Sequence, residues 1–486
     1  MLFGPVKLRA ARSLLFGLPL LFYCALPTRN FYWDGVAFAI TIEGRPPAAS
    51  LFSPSHLLYM LWGSWLYRLA EAAGIHTRAL FVMQAANGVL AGLSVILFYR
   101  CLRTWDVPAG IGAAGALALA FSAAWWRFAG DANAYVPAIF LLLCAYLLLG
   151  NPRTIVLAGL AHVGAMLFHE LAIFFLPVAL LSLRKDRRSL AAYTAAALVP
   201  VGATYAAAYR AASRIAPVPG FFSWVTEHSP DSGFSFNPFT NAFLSLRGTA
   251  RLFFGGRVGD FMGDGISRAA LLALAVATIA FLIAGWRAIR GFRGTEAASP
   301  PVPVLAWAGV YAAFLFVWMP QNAFYRLFYL PPAIAIGWTT LRRAPRAGPA
   351  MRLFVPVLLL WNFTFAIYPQ SRADSNAPLR FALAQRGRWP PGTPVIFHRF
   401  HPDLWTISYF NQQVAWIGVT DADLGLLERN LEEARNERRT LWVEQTAYDL
   451  MASVSEGRQW LAAHEQPESL IQFRNAKHEF RFHCIR

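Results

Sequence analysis

Charge is scarce in this chain. Only 14% of its 486 residues are Asp, Glu, Lys or Arg, against 57% hydrophobic. A soluble core cannot use that much apolar surface, which excludes a soluble domain and implies a polytopic membrane protein. Cysteine is scarce as well: Cys24, Cys101, Cys144 and Cys484 stand singly, with no CxxC or paired spacing. Neither a zinc site nor a disulfide framework is expected from them. Internal repeats and low-complexity stretches are also lacking. Acidic residues are outnumbered 26 to 43, for a net charge of +17. The excess is not evenly spread. From Arg372 onward there are 14 basic and 14 acidic residues, so the first 369 carry the whole imbalance, 29 against 12. A basic membrane part with a neutral tail follows the positive-inside rule. It lacks the basic soluble patch of a nucleic-acid partner.

What is there is a series of apolar runs, at about 10–27, 79–98, 107–126, 133–149, 153–168, 170–183, 190–209, 268–286, 302–319, 327–341 and 352–368. A crossing needs about 20 residues, so 153–168, 170–183 and 327–341 must borrow polar ends or be re-entrant. Lys7, Arg9 and Arg12 precede the first run, and no small-residue cleavage site follows it, which marks a retained anchor. Eleven crossings from a cytoplasmic N-terminus place 17 basic and three acidic residues on the inner side. The longer outer segments before the tail hold 12 and nine. The segment 55–72 is apolar enough to cross, but a crossing there would invert every later loop. Its Trp and Tyr content suits a helix lying along the outer leaflet.

The expected organisation is a membrane domain over 1–369, with a first outer loop at 28–78 and a second at 210–267, followed by a soluble tail over 370–486. The tail alternates Pro394–Phe397, Val414–Val419 and Thr440–Val443 with a charged helical stretch at Asp423–Arg439, an α/β pattern.

Asp34 lies in Asn30-Phe-Tyr-Trp-Asp-Gly-Val, where the chain leaves its first span on the non-cytoplasmic side. An acid pinned by aromatics at a bilayer surface is a candidate general base; the alternative is a loop Asp or a helix cap. Glu43 follows nine residues later, as a metal ligand, a partner to Asp34 or a solvated residue. Asp131, in Trp125-Trp-Arg-Phe-Ala-Gly-Asp131, sits at a depth where ionisable groups face a cavity or one another. An i,i+4 pair with Arg127 is the structural alternative. His169-Glu170 interrupts an apolar run, either to hold a phosphate or metal or as a hairpin tip. Arg326 opens a late span and suits bidentate phosphate contact or snorkelling to headgroups. The glycine-rich loop Gly255–Gly265, with Arg257, Asp260 and Asp264, lacks the spacing of an EF-hand.

The architecture resembles the GT-C membrane glycosyltransferases: one anchor span, an acid-bearing outer loop, an interfacial helix, a many-span bundle and an outer C-terminal domain. Within that superfamily it is similar to the protein O-mannosyltransferase-like and lipid A aminoarabinose transferase-like enzymes. Asp34 stands where the superfamily keeps its catalytic acid. Ser53-Pro-Ser-His56-Leu-Leu-Tyr59 is similar to the His/Lys-Pro-Pro-Leu-Tyr segment that opens the family's interfacial helix. Asn322-Ala-Phe-Tyr325-Arg326-Leu-Phe-Tyr329-Leu-Pro331-Pro resembles the late Arg-Tyr-x-x-Pro opening, whose Arg lies near the lipid phosphate. The fold class implied is a GT-C-like bundle of about eleven helices with interfacial helices and a small extracytoplasmic α/β domain.

The resemblance implies an inverting transferase in the cytoplasmic (inner) membrane of a bacterium. Its donor is a polyprenyl-phosphate sugar, and its acceptor a glycan, lipid or protein. Asp34 is then the base, with Glu43, His56, Asp131, His169, Glu170, Tyr325 and Arg326 around the substrates. The family's adjacent acidic pair is absent, because Gly35 follows Asp34. A divalent cation (Mg2+ or Mn2+) on Asp34 and Glu43 therefore stays open. So do an inactive scaffold and a transporter or flippase for lipid-linked substrates, although no half-to-half symmetry supports transport.

Overall fold

No water reaches the core of a bilayer, so an apolar run there must satisfy its own backbone hydrogen bonds, and a helix does so. The structure is a computed structural model describing residues 5–215, 220–226, 234, 236–256, 265–291, 299–342, 347–474 and 478–486. All eleven apolar runs are helical in it. Up to residue 369 the chain runs α1 (Pro5–Ala25), α2 (Trp33–Glu43), α3 (Tyr59–Ala72), α4 (Ala79–Thr104), α5 (Ala109–Phe121), α6 (Ala123–Ala129), α7 (Tyr135–Leu148) and α8 (Ile155–Phe168). It continues through α9 (Leu176–Leu183), α10 (Arg187–Ala212), α11 (Phe221–Thr226), α12 (Pro238–Phe253), α13 (Gly265–Gly291), α14 (Val302–Val317), α15 (Leu330–Leu341) and α16 (Ala347–Asn362).

The chain divides into two compact units. One is Met1–Thr28 with Thr41–Pro369; the other is Arg29–Ile40 with Gln370–Arg486. Among the described residues, four helices are long and apolar enough to cross a bilayer, Ala79–Thr104, Arg187–Ala212, Arg268–Arg290 and Ala347–Gln370, or five if the bent pair Ala109–Phe121 and Ala123–Ala129 counts as one span. The protein is a multi-pass membrane protein.

The run at 107–126, expected as one continuous span, is broken. α5 and α6 meet at 65°. Ser122 at the joint is extended, with φ −61° and ψ 136°, and its hydroxyl donates back to the Ala118 carbonyl at 2.6 Å. A serine that bonds its own helix competes with the backbone ladder and bends it. α3 has 14 residues, which reach about 21 Å and fall short of the ~30 Å hydrocarbon core. α16 continues through a π-helical turn, Phe363–Ile367. Asn362, fully buried at its start, donates to the carbonyls of Phe121 (2.8 Å) and Phe253 (2.6 Å) and accepts from the Gly255 N–H (3.0 Å). One side chain thereby ties the break after α5 to the end of α12.

The second unit is built on a five-stranded sheet in the order β2-β1-β3-β5-β4. β1 (Pro394–His398) pairs in parallel with β2 (Ala415–Val419) and β3 (Leu441–Glu444). β5 (Glu479–Ile485) runs antiparallel to β3 and to β4 (Ile471–Arg474). Successive residues of β1 face opposite layers. Val395 and Phe397 pack with Phe381, Trp389 and Phe482, whereas Ile396 packs with Leu427, Leu431 and Met451. Residues 29–40 belong here too. The Arg29 N–H donates to Gln370 O at 2.7 Å, Asn376 Nδ2 donates to Arg29 O at 2.7 Å, and Phe31 stacks on Phe410 at 5.6 Å. The outer loop expected over 28–78 thus contributes residues 29–40 to the compact unit of the tail, with main-chain bonding at Arg29.

Candidate active site

His169 closes α8. Its backbone is extended, and its Nδ1 accepts the Leu171 N–H at 3.2 Å, capping the 3-10 turn Glu170–Phe175. A nitrogen that accepts carries no proton, so the neutral ring bears its hydrogen on Nε2. That Nε2 is buried and has no hydrogen-bond partner among the described residues. Around it stand four rings: His56 and Tyr135, each with centroids at 4.8 Å, Phe328 at 5.2 Å and Tyr325 at 5.9 Å. His56 is brought there by the 3-10 turn Pro54–His56, which is tied to α8. Its Nδ1–H donates to Phe168 O at 3.2 Å, and Leu58 N–H donates to Leu167 O at 2.8 Å. Four of the sequence candidates' segments thus meet at one place: the starts of α3 and α7, the end of α8 and the turn before α15.

Arg326 lies in that turn, Tyr325–Tyr329, and is 2% exposed. Its guanidinium donates to Tyr329 Oη (2.5 Å), Pro320 O (2.5 Å) and Ser245 Oγ (3.2 Å). Every one of these acceptors is neutral, and among the described residues no carboxylate pairs with it. Nε is buried without a partner. Thr249 bonds the Tyr329 hydroxyl at 2.6 Å, so α12 supplies two polar contacts to this cradle. It can approach because residue 248 is glycine: a Cβ there would sit 2.5 Å from Arg326 Nε.

Asp131 is fully buried, in the loop between α6 and α7. The loop is rigid. Asn87 Nδ2 donates to Asp131 O (2.8 Å) and Asn133 O (2.9 Å), and Asn133 Oδ1 accepts from Tyr135 and Val136 N–H, both at 3.1 Å. One carboxylate oxygen of Asp131 accepts the Ala132 N–H at 2.8 Å. Arg127 does not reach back to it; its guanidinium lies over the Phe128 ring at 5.7 Å. Glu43 is held elsewhere: it accepts from Arg78 Nε at 2.9 Å and caps α4 through the Ala79 N–H at 2.7 Å. Glu170 follows His169 directly in the 3-10 turn and forms no ion pair among the described residues. Asp34 is in the first turn of α2, within the second unit. Arg257, Asp260 and Asp264 lie outside the described residues.

Among the described residues no three His, Cys, Asp or Glu side chains gather as a metal site would require. Glu43 is committed to Arg78 and to a helix N-terminus, so the residues present do not fit a metal carried on it.

Sequence reasoning passed over Tyr329, Ser245, Gly248 and Thr249. A signal existed: in α12, Ser245, Gly248, Thr249 and Leu252 fall on one helical face, and Phe239, Phe243 and Leu246 on the other.

No protein-family model and no curated protein matches this chain. Solved structures do. ArnT from Cupriavidus metallidurans bound to undecaprenyl phosphate is similar with a TM-score of 0.57 and 14% identity, over 97% of this chain and 97% of that one. The same protein in its apo state gives 0.50 and 14%, over 98% of each chain. The likeness extends along essentially the whole chain, so the fold is shared with that protein.

Proposed function

We propose that this chain is an integral-membrane glycosyltransferase that moves a sugar from a polyprenyl-phosphate carrier to an acceptor hydroxyl. The observation that carries the reading is Arg326: a buried cation that, among the described residues, is held only by neutral acceptors, in a fold shared with a protein crystallised with undecaprenyl phosphate. A guanidinium in such a place lacks a counter-charge that a phosphate would supply.

In the reaction, Asp34 takes the proton from the acceptor hydroxyl as its oxygen attacks the anomeric carbon. The bond from that carbon to the phosphate oxygen breaks on the opposite face, with inversion. The departing lipid phosphate gains one negative charge, and Arg326 stabilises it as it develops. Asp131, His56, His169, Glu170 and Tyr325 line the substrate side. The chain sits in the inner membrane with eleven crossings, its N-terminus cytoplasmic and its tail outside. That orientation follows the arginine bias of the inner loops.

The test is sugar transfer by membranes carrying wild type, Asp34→Asn or Arg326→Gln, supplied with labelled polyprenyl-phosphate sugars. Transfer by wild type that collapses in both variants, with expression unchanged, supports the reading. Equal transfer by Asp34→Asn removes Asp34 as the base and directs attention to Asp131. Wild-type inactivity with every donor would move the assignment to a transporter or a scaffold.

A further inference from the structure

The polar cradle of Arg326 contains three hydroxyls, and counting protons gives the direction of each hydrogen bond. A guanidinium has no lone pair to offer, so Arg326 donates from Nη1 to Tyr329 Oη at 2.5 Å and from Nη2 to Ser245 Oγ at 3.2 Å. Tyr329 stands three residues on in the same 3-10 turn, where side chains at that spacing eclipse. The guanidinium carbon lies 5.6 Å from its ring centroid. Thr249 has one hydroxyl proton, and gives it to Ser245 O at 2.8 Å, one turn back in α12. Thr249 therefore meets Tyr329 with a lone pair, and the 2.6 Å bond between the two hydroxyls is donated by Tyr329. The chain runs one way, from Arg326 Nη1 to Tyr329 Oη, from Tyr329 Oη to Thr249 Oγ1, and from Thr249 Oγ1 to Ser245 O.

α12 itself is anchored at both ends. Asn241 Nδ2 donates to Phe316 O at 2.9 Å near its start, and Asn362 Nδ2 donates to Phe253 O at 2.6 Å at its finish. Thr249, between these anchors, is held in place beside Tyr329. We propose that Thr249 is a positioning residue for the transfer reaction. By taking the Tyr329 proton it keeps a Tyr329 lone pair turned to Arg326, which fixes the guanidinium where the lipid phosphate arrives. A Tyr329 proton turned to Arg326 instead would face a cation, and the bond would be lost. Groups already aimed need no reorganisation as charge develops on the phosphate. Thr249 touches no substrate, and its role rests on the reading that Arg326 meets that phosphate.

The test is binding of undecaprenyl phosphate and of undecaprenol to the full chain in detergent, compared by native mass spectrometry. The difference between the two lipids isolates the phosphate. Wild type should prefer undecaprenyl phosphate. Thr249→Val keeps the shape of the side chain without its hydroxyl, and should lower that preference about tenfold, the scale of one hydrogen bond to a charged group. Undecaprenol binding should stay unchanged. Thr249→Ser returns the hydroxyl and should return the preference. In Tyr329→Phe, which has no proton to direct, Thr249→Val should have no further effect. A preference undiminished in Thr249→Val overturns the proposal. So does a raised one, which would mean that the freed Tyr329 proton turns to the phosphate. Equal losses in Thr249→Val and Thr249→Ser, or losses that add in the double variant, also overturn it. Where Thr249→Val expresses poorly, Thr249→Ala against Thr249→Ser makes the same comparison. All of these outcomes leave Arg326 on the phosphate. Wild type that binds both lipids alike, or Arg326→Gln as selective as wild type, takes the phosphate off Arg326 and overturns the underlying reading as well.

Discussion

Two histidines on α8 show how the same residue type serves different ends. His162 uses both nitrogens: Nε2–H donates to Ala172 O at 2.8 Å, and Nδ1 accepts from the Tyr193 hydroxyl at 2.7 Å. His169 uses only Nδ1. His162→Ala leaves two buried groups unsatisfied and should cost about 1–3 kcal/mol for each, seen as a lower melting temperature. His169→Asn keeps a capping oxygen and removes the Nε2 donor, so it should slow transfer with little change in melting. A melting loss in His169→Asn as large as that of His162→Ala would mean that His169 is structural. Arg326→Lys keeps the charge but loses the planar fork, and should lower kcat about 100-fold, the scale of losing one preorganised donor.

Elements carry a second set of consequences. α12 presents Phe239 (90% exposed), Phe243 and Leu246 outward, while Gly248 and Ser245 meet Arg326 on its other face. Such a helix is expected to lie in the bilayer interface. A tryptophan placed at Phe243 should be quenched by lipids brominated near the headgroup; no quenching would put this face in water. Gly248→Ala should impair transfer nearly as much as losing the arginine contact, because its methyl would sit 2.5 Å from Arg326 Nε and force the guanidinium to shift. In the tail, burial pushes the Glu465 carboxyl up, but hydrogen bonds from His483 and Tyr448 outweigh it and hold the group below the usual carboxylate range. A carboxylate depressed by folding adds stability above its unfolded value of about 4.3, and that stability is lost as pH falls through the folded value. Glu465→Gln should therefore melt below wild type at pH 7, and the two should converge on acidification.

At the scale of the molecule, the membrane helices, the parallel core of the tail and the positions of the candidate residues differ in how plainly the sequence displays them. Each apolar run is helical because hydrocarbon leaves the backbone no other solution. The segments around β1, β2 and β3 are legible from short β-branched and aromatic runs between polar turns. β4 and β5 were not, because Ile471–Arg474 and Glu479–Ile485 carry charges on the strands themselves. The Phe381 and Phe482 rings stack at 5.5 Å and 5° in the tail core. Phe482→Ala should destabilise the tail by about 3–5 kcal/mol, measurable as faster proteolysis of the region after residue 370.

By itself the sequence determined the class of the protein, its helical runs and the bias of its arginines, because hydropathy and charge act locally. It also singled out His169 as a polar residue interrupting an apolar run and Arg326 as a cation opening a late span, while His56 and Tyr325 entered only through the resemblance to family motifs. Only the tertiary structure decided that the segments of His56, His169 and Tyr325 converge, and that Arg326 rests on neutral acceptors, one of them Ser245 of α12, some 80 residues earlier. It alone decided that Glu43 answers to Arg78 and that Ser122 breaks a run hydropathy reads as unbroken. Those outcomes depend on which distant backbone groups need a partner, and composition along the chain carries no record of that.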